Sequence, residues 1–217
     1  MKKYLLLAVA LVLVGAMLVG CVSESTSVLD KIQKAKKVSV GTSADYPPYE
    51  YLDDAGNKTG FDIELMEEIA KRMDVELEWV DMPFDSLVAA VAGGKLDMSI
   101  SCFNYDEERD KIVDFSEAYY TTEDAFVVTS AFAGTIAKPE DAANYKVGVQ
   151  SGTVQDGWLT DNLVTPGLLP EANLSRYERV DQAALDLANG RIEVLMGDYV
   201  PIQALVAQNP DLQVVYH

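Results

Sequence analysis

Two side chains of opposite charge follow predicted strands in this sequence. Arg109 lies early in the segment after a strand predicted to end near Ser101, and Asp198 directly follows a second predicted strand and Gly197. A guanidinium matches a carboxylate through two parallel hydrogen bonds, and a lone carboxylate can accept hydrogen bonds from an ammonium group. Arg109 and Asp198 together therefore offer complementary charges for a zwitterion.

Each of these two side chains also has a purely structural interpretation. Arg109 could form a surface ion pair with Asp106 or Asp110. Asp198 could cap the helix predicted to follow it, because a carboxylate accepts hydrogen bonds from the first free N–H groups of a helix. Asp106 is itself predicted to cap the short helix that carries Arg109. Both interpretations of Arg109 and Asp198 stay open at the level of sequence.

Other candidate contacts lie at similar positions. Thr153 follows Gly152 where a helix is predicted to begin, so it could receive a carboxylate or act as a cap alone. Tyr46, Tyr49 and Phe84 could sandwich the apolar part of a ligand, or they could pack in the core or at a hinge.

Composition excludes several classes of function. The chain has 217 residues with 17 basic and 35 acidic side chains, a net charge of −18, which makes nucleic acid an unsuitable partner. The single His lies at the C-terminus, so a His-based catalytic dyad or zinc site is not expected. Cys102 is interpreted as a small, partly buried side chain. We expect no metal, no cofactor and no internal disulfide.

The N-terminal segment resembles a lipoprotein leader. Lys2 and Lys3 precede an apolar stretch over 5–19, which is shorter than a spanning helix needs, and the run LVGC ends at Cys21. This run resembles the lipobox of bacterial and archaeal lipoproteins, which predicts a signal peptide over 1–20, lipidation of Cys21 and a flexible tether over 21–28. The alternative is an uncleaved anchor helix. Both interpretations place the remaining chain outside the cytoplasm on the membrane surface.

Helical and extended patterns alternate along the rest of the chain. Alternation and apolar content predict strands at 38–42, 75–80, 96–101, 146–150, 192–196 and 212–216. Apolar spacing and glycine stops predict helices at 62–73, 85–92, 181–189 and 199–208, with short helices beginning near 106 and 151. Such alternation favours parallel, doubly wound sheets.

A short internal similarity indicates two lobes of like topology. Residues 92–98 (AGGKLDM) resemble residues 188–194 (ANGRIEV), and each follows a predicted helix and enters a predicted strand. Ligands of open α/β sheets bind beyond the carboxyl ends of the strands. We therefore expect the loops 102–106 and 197–198 to form opposite walls of one cleft.

Several motifs resemble one family across most of the chain. They are GTSADYPPYE at 41–50, GFDIEL at 60–65, RDKIVDFS at 109–116, YY at 119–120, VGVQSGT at 147–153 and MGD at 196–198. In this order they are similar to those of the family 3 extracytoplasmic solute-binding proteins, which serve ATP-binding-cassette (ABC) uptake of polar amino acids.

The resemblance implies an α/β, two-lobed, type II periplasmic-binding-protein-like fold with doubly wound sheets. Lobe 1 would span 29–124 and lobe 2 would span 125–217, and the return of the chain to lobe 1 that is usual in the family would be absent, so a C-terminal truncation is expected. The implied function is that of a monomeric, lipid-anchored binding protein that takes up an amino acid or similar zwitterion between its lobes. Its partner would be an ABC permease, and it would not be an enzyme.

The resemblance also implies roles for individual residues. Arg109, helped by Thr153, would grip the α-carboxylate, and Asp198 would grip the α-ammonium group. Cys102 would offer backbone groups, and Asn104 would make a polar contact. Tyr46 and Phe84 would form aromatic walls, and Ser43 and Gln150 would tune specificity.

Departures from the family pattern leave the ligand open. Many members that bind basic amino acids or glutamine carry Asp where this chain has Ser43, and Cys102 and Asn104 replace the usual Gly or Ser and Thr. Asp106 stands where Thr is common. Two other functions remain on the same fold: a cyclohexadienyl-dehydratase-like enzyme, in which Asp106 or Asp198 would serve as a protonated acid, and a ligand-sensing domain.

Overall fold

The computed structural model describes residues 27–217. The predicted signal peptide, the lipidation site Cys21 and the tether up to residue 26 lie outside the described residues. Within 27–217, none of the helices combines the length and the apolar character required to cross a bilayer.

Seven helices and eleven strands alternate along the described chain. The helices are α1 Val28–Ala35, α2 Phe61–Met73, α3 Phe84–Ala92, α4 Glu107–Asp110, α5 Val154–Leu159, α6 Val180–Ala188 and α7 Tyr199–Gln208. The strands are β1 Lys37–Thr42, β2 Asp45–Tyr46, β3 Glu50–Leu52, β4 Lys58–Thr59, β5 Glu76–Asp81, β6 Met98–Ser99, β7 Asp124–Thr129, β8 Val147–Gln150, β9 Leu174–Tyr177, β10 Val194–Asp198 and β11 Leu212–Tyr216. Short 3-10 turns at Pro139–Asn144 and Glu171–Asn173 and a π turn at Thr160–Val164 complete the order.

The first lobe is built on a three-stranded sheet in the order β5-β1-β6, whose pairings are all parallel. Val38 and Val40 of β1 pack in one core with Met66 of α2. A separate core joins Leu87 of α3 to Leu96 before β6. A small antiparallel sheet, β2-β3-β4, extends from the end of β1. Because apolar cores lie on both faces of the parallel sheet, it is doubly wound as predicted.

The second lobe is built on a five-stranded sheet in the order β11-β7-β10-β8-β9. Strands β8, β9 and β10 run parallel, whereas β7 is antiparallel to both β10 and β11. The expectation of purely parallel sheets is therefore wrong here. A parallel neighbour requires a crossover connection, and β7 enters this sheet from the extended segment before it, without a crossover helix.

The internal similarity corresponds to the same local structure in both lobes. Each segment leads from the end of a helix, α3 or α6, into a strand, β6 or β10. Asp97 accepts a hydrogen bond from the N–H of Ser39 at 2.9 Å, and Glu193 accepts one from the N–H of Lys146, also at 2.9 Å. The two acidic side chains therefore tie each segment to its neighbouring strand in the same way.

The apolar residues of the two segments also occupy equivalent places. Leu96 is buried over Gly41, where an added Cβ would lie 2.4 Å from its Cδ1 atom. Ile192 is buried over Gly148, where the corresponding distance would be 2.3 Å. Each glycine therefore lets a branched side chain pack directly on the strand.

Two strand predictions at the cleft need correction. The strand expected over 96–101 is reduced to Met98–Ser99, because Leu96 turns into the core and Cys102 adopts a left-handed backbone with φ +48°. The strand expected to end at Met196 continues to Asp198, so Asp198 is the last residue of β10 and does not follow it. The strands β2 to β4 and β9 were not predicted.

Candidate functional site

A small cavity lies where the two lobes meet at the carboxyl ends of β1, β6, β8 and β10. Its walls are formed by Ser43, Asp45, Tyr46, Glu50, Phe84, Ser101, Cys102, Asn104, Gln150, Thr153 and Asp198. The volume is about 10 Å³, room for about one water molecule. A larger ligand therefore requires the walls to move apart. Eight of the nine ligand-binding residues predicted from sequence line this cavity; Arg109 does not.

Asp198 directs its buried carboxylate toward the other lobe. The side chain makes no capping hydrogen bond to α7. It accepts hydrogen bonds from the Tyr46 hydroxyl at 2.9 Å, Gln155 Nε2 at 3.0 Å and Asn104 Nδ2 at 3.4 Å. Burial raises the pKa of Asp198, and these hydrogen bonds oppose the shift. The helix-cap interpretation of this side chain is therefore wrong.

The aromatic candidates divide between the cavity and the core. Tyr46 contributes its hydroxyl as well as its ring, since it also accepts a hydrogen bond from the N–H of Asp198 at 3.0 Å. Phe84 packs on Phe103 with ring centres 4.7 Å apart. Tyr49 does not line the cavity and packs on Tyr120 at 4.9 Å, which is the core-packing alternative.

Arg109 lies beside the cavity, against the residues that line it. Its guanidinium donates hydrogen bonds to the carbonyl oxygens of Asn104 at 3.0 Å and of Gly152, in the other lobe, at 2.6 Å. The guanidinium carbon lies 5.5 Å and 5.6 Å from the ring centres of Phe84 and Phe103, within the range of cation–π attraction. Burial lowers the pKa of Arg109. The side chain therefore bridges the lobes through backbone carbonyls.

The predicted caps around Arg109 and Thr153 are both present. Asp106 accepts a hydrogen bond from the N–H of Arg109 at 2.9 Å, which confirms it as the cap of α4. The Thr153 hydroxyl donates to the carbonyl oxygen of Gln150 at 2.8 Å and accepts from the N–H of Asp156 at 3.2 Å. The hydroxyl is thus engaged in capping α5, in agreement with the simpler of the two interpretations.

Cys102, three positions after the end of β6, has a left-handed backbone conformation. Cys102 is buried and its N–H donates to Asp62 Oδ2 at 2.7 Å. The N–H of Cys102 is therefore already occupied by Asp62. Asn104 faces Asp198 across the cavity.

Ser43 and Gln150 meet on an acidic side chain that the sequence analysis missed. Asp45 Oδ1 accepts from the Ser43 hydroxyl at 2.7 Å, and Asp45 Oδ2 accepts from Gln150 Nε2 at 3.3 Å and from the N–H of Val180. Arg179 lies 3.9 Å from the same carboxylate. Asp45 thus joins the lobes. Its position inside the motif at 41–50 was the only feature of the sequence that could have identified it as a site residue.

Three more polar residues at the site were missed. Glu50 and Ser101 line the cavity, and the Ser101 hydroxyl donates to Glu50 Oε1 at 2.8 Å. Gln155 is 2% exposed and holds Asp198 in place while also donating to Asp124 at 2.8 Å. No residue pattern distinguishes a buried glutamine near the start of a helix from an exposed one.

The cavity is acidic. Its walls contain three carboxyl groups, those of Asp45, Glu50 and Asp198, and no Lys or Arg side chain. Two arginines, Arg109 and Arg179, lie just outside it. The arrangement can accept hydrogen bonds from positively charged groups, and it disfavours a ligand that carries excess negative charge.

Comparison with known sequences gives a family match over most of the chain. The family described as "Bacterial extracellular solute-binding proteins, family 3" matches residues 38–202. The probable histidine-binding protein of Campylobacter jejuni is 30% identical over 218 residues, which cover 100% of this chain and 81% of that protein. The arginine-binding extracellular protein ArtP of Bacillus subtilis is 33% identical over 215 residues, covering 98% of this chain and 79% of ArtP.

Solved structures agree with the sequence matches. The arginine-bound form of truncated ArgBP from T. maritima has a TM-score of 0.80 and 35% identity, covering 86% of this chain and 84% of that chain. The two-lobed α/β architecture expected from the sequence is therefore confirmed.

Proposed function

This chain belongs to the bacterial extracellular solute-binding proteins, family 3, and on that premise we propose that its cavity captures an amino acid with a cationic side chain. The observation that carries the proposal is the acidic lining between the lobes, where Asp45 and Asp198 supply carboxylates and no Lys or Arg side chain lines the cavity. The captured amino acid passes to an ABC permease in the membrane. The relatives compared above are named as binding proteins, and we propose binding without turnover for this chain too.

Asp198 binds the α-ammonium group in this proposal. Its carboxylate is already aimed across the cleft, and its hydrogen bond from Asn104, at 3.4 Å, is the longest of its three side-chain contacts. An ammonium donor can replace this contact while Tyr46 and Gln155 keep the carboxylate in place. Closing the lobes excludes water, which strengthens the charged contact.

Arg109 binds the α-carboxylate in this proposal. The side chain has five N–H donors, and two of its nitrogens bond to the carbonyl oxygens of Asn104 and Gly152. A carboxylate is a stronger acceptor than a carbonyl oxygen, so it can take the place of Gly152 when the lobes part. The rings of Phe84 and Phe103 keep the guanidinium plane in position during this exchange.

The ligand side chain meets Asp45 in this proposal. Ser43 and Gln150, expected from the resemblance to set specificity, both hold this carboxylate. A cationic side chain gains a charged partner there, whereas a glutamate side chain would lie against Asp45 without a lining cation.

The test is calorimetry with Asp198→Asn. Removing the charge from one partner of a buried charged contact costs about 2–5 kcal/mol, so the affinity for L-arginine should fall by roughly 30-fold or more. The control is Asp161→Asn, which changes an exposed carboxylate in the π turn. An affinity within threefold of wild type for Asp198→Asn would refute the ammonium role.

A ligand panel tests the charge preference separately. L-arginine and L-lysine should each raise the melting temperature more than L-glutamine does, and L-glutamate should have no effect at the same concentration. A shift with L-glutamate as large as that with L-arginine would exclude the cationic preference.

We further propose that the protein works as a monomer held to the outer face of the cell membrane by a lipid on Cys21. The support is the leader-like sequence before Cys21. Intact mass of the protein extracted from membranes should include the diacylglycerol, and Cys21→Ser should release the protein from the membrane fraction.

A further inference from the structure

A buried carboxyl group at the cavity has an oxygen without a partner. Glu50 is 1% exposed, and its Oε1 atom accepts a hydrogen bond from Ser101. Its Oε2 atom is buried and has no hydrogen-bond partner among residues 27–217. A buried carboxylate oxygen without a donor is strongly unfavourable.

Asp62, in the first turn of α2, is tied to the neighbours of Glu50 and Ser101: its N–H donates to the carbonyl oxygen of Tyr49 at 2.9 Å, and its carboxylate holds Cys102. It is fully buried and accepts from the N–H of Cys102 at 2.7 Å and from the Tyr119 hydroxyl at 3.0 Å. Among the described residues, neither Glu50 nor Asp62 forms an ion pair with a Lys or Arg side chain. Two neighbouring carboxylates in a dry site without a cation cannot both stay ionised.

We propose that Glu50 and Asp62 share one proton, carried on Glu50 Oε2, and that this acid–carboxylate pair positions the cavity wall over residues 101–104. With the proton on Glu50, Oε2 becomes a donor to Asp62 and is no longer unpaired. Asp62 is the ionised member, because it receives the two donors from Cys102 and Tyr119.

The pair holds together two strand ends that face the ligand. The N–H of Ser43, just after β1, donates to Ser101 Oγ at 3.0 Å, and Ser101 in turn donates to Glu50. On the other side, Asp62 holds the N–H of Cys102 in its left-handed conformation. A non-glycine residue in this conformation persists only when its surroundings enforce it. Glu50 and Asp62 are therefore positioning residues for the cavity wall.

The electrostatic surroundings support the same assignment. Burial, and then the charge of Asp62, raise the pKa of Glu50 well above its ordinary value of 4.5, and Asp45 adds to the shift while Ser101 opposes it. Burial also raises the pKa of Asp62, against the hydrogen bonds from Cys102 and Tyr119. The groups that face Glu50 are thus Asp62 of α2, Asp45 of β2, Ser101 and Cys102 after β6, and Tyr119 before β7.

The sign of the pH effect follows from the raised pKa of Glu50. The folded protein holds this proton more tightly than the unfolded chain, so the resulting stability is complete below about pH 4.5 and is lost as the pH rises through the folded-state pKa. Ionisation of Glu50 also places two negative charges behind the wall that carries Cys102, so this wall should be less stable over the same range.

The first test is Glu50→Gln, whose amide can donate to Asp62 and accept from Ser101 in the same shape. From pH 5 up to the most alkaline pH at which Glu50→Gln still unfolds reversibly, the melting temperature of the wild type should fall by several degrees more than that of Glu50→Gln. If the melting temperature of the wild type changed with pH in parallel with that of Glu50→Gln, or rose relative to it, the proposal would be overturned.

Infrared spectroscopy gives a second readout that needs no ligand. Wild-type protein with 13C-labelled glutamate should show the C=O stretch of a protonated carboxylic acid at pH 7, and Glu50→Gln should lack it. Absence of this band from the wild type would also overturn the proposal. Neither the infrared nor the melting measurement uses a ligand, so failure of arginine to bind leaves the shared proton testable.

Discussion

The role of a carboxylate in this molecule depends on whether its side chain is directed at the start of a helix or at the cavity. Asp106 and Asp198 both precede helices in the sequence, but Asp106 caps α4 whereas Asp198 makes no cap and faces the cavity. The difference follows from β10 continuing to residue 198, which keeps the Asp198 side chain on the face of the sheet that meets Tyr46. The role of an acidic residue therefore depends on the last residue of the strand before it.

Arg109 bridges the two lobes through its guanidinium. It is held by two carbonyl oxygens and two aromatic rings, and among the described residues it forms no ion pair with Asp106 or Asp110. A guanidinium with such weakly competing partners stays available to a carboxylate.

The Cys102 thiol should be unreactive in the folded protein. Burial and then the neighbouring carboxyl groups of Glu50, Asp198 and Asp62 raise its pKa well above its ordinary value of 9.0. Because the thiolate is the reactive form, iodoacetamide at pH 8 should modify Cys102 at least about tenfold more slowly in native protein than in urea. Mass spectrometry of the peptide that contains Cys102 measures both rates. Equal rates would show that this cavity wall opens freely to solvent.

The two lobes share one helix-to-strand element. In each lobe a branched side chain, Leu96 or Ile192, packs over a glycine of the neighbouring strand, Gly41 or Gly148. Such close contact fixes the spacing between the helix end and the sheet, and hence the position of the loop that follows the strand. In lobe 1, the loop after β6 carries Cys102. In lobe 2, β10 itself continues to Asp198, so the end of the strand occupies the corresponding position.

Gly148→Ala should destabilise the protein. The new Cβ would lie 2.3 Å from Ile192 Cδ1, so the core must shift, which costs about 1–3 kcal/mol in the free energy of unfolding. Urea unfolding followed by circular dichroism measures the change. Replacing Ile192 by Val removes the atom that the new Cβ would meet. Gly148→Ala should therefore cost less free energy of unfolding in the Ile192→Val background than in the wild type.

A matched control for this substitution lies in α5. Gly157 has open space around it, and alanine is favoured over glycine inside a helix, so Gly157→Ala should raise the free energy of unfolding by up to about 1 kcal/mol. If Gly148→Ala were as stable as Gly157→Ala, the packing argument would fail.

Across the whole molecule, the lobes are joined by polar contacts and the surface is strongly acidic. Arg179 reaches across to Asp81 at 2.9 Å, and the Ser151 hydroxyl donates to Asp85 at 3.1 Å, in addition to the contacts of Asp198, Asp45 and Arg109. Polar contacts exchange with water at lower cost than buried apolar surface does, so they oppose separation of the lobes less than an apolar interface of the same size would. The net charge of −18 surrounds that cleft with a negative potential.

Binding of a cationic ligand should therefore depend on salt. Raising NaCl from about 10 mM to about 500 mM shortens the Debye length from about 30 Å to below 8 Å, so the affinity for L-arginine should fall several-fold. The affinity for any neutral amino acid that binds, such as L-glutamine, should change less, and calorimetry at the two salt concentrations measures both. An arginine affinity that is independent of salt would mean that the net charge plays no part in capture.

Local patterns were sufficient to predict most elements and several candidate residues. The helix predicted over 62–73 is observed as Phe61–Met73, the cap Asp106 is present, and the similarity of 92–98 to 188–194 is a real structural repeat. These features depend on residues within a few positions of one another, so periodicity and capping rules apply to them directly.

The connections that build the cavity could not be predicted in this way. Asp62 bonds to the backbone of Cys102, 40 positions away, and Tyr46 bonds to Asp198, 152 positions away. Whether a carboxyl group such as Glu50 is exposed and ionised or buried and protonated depends on which distant segments cover it. That burial is created when the chain packs, because the dielectric surroundings and hydrogen-bond donors of a side chain come from residues that no local pattern relates to it.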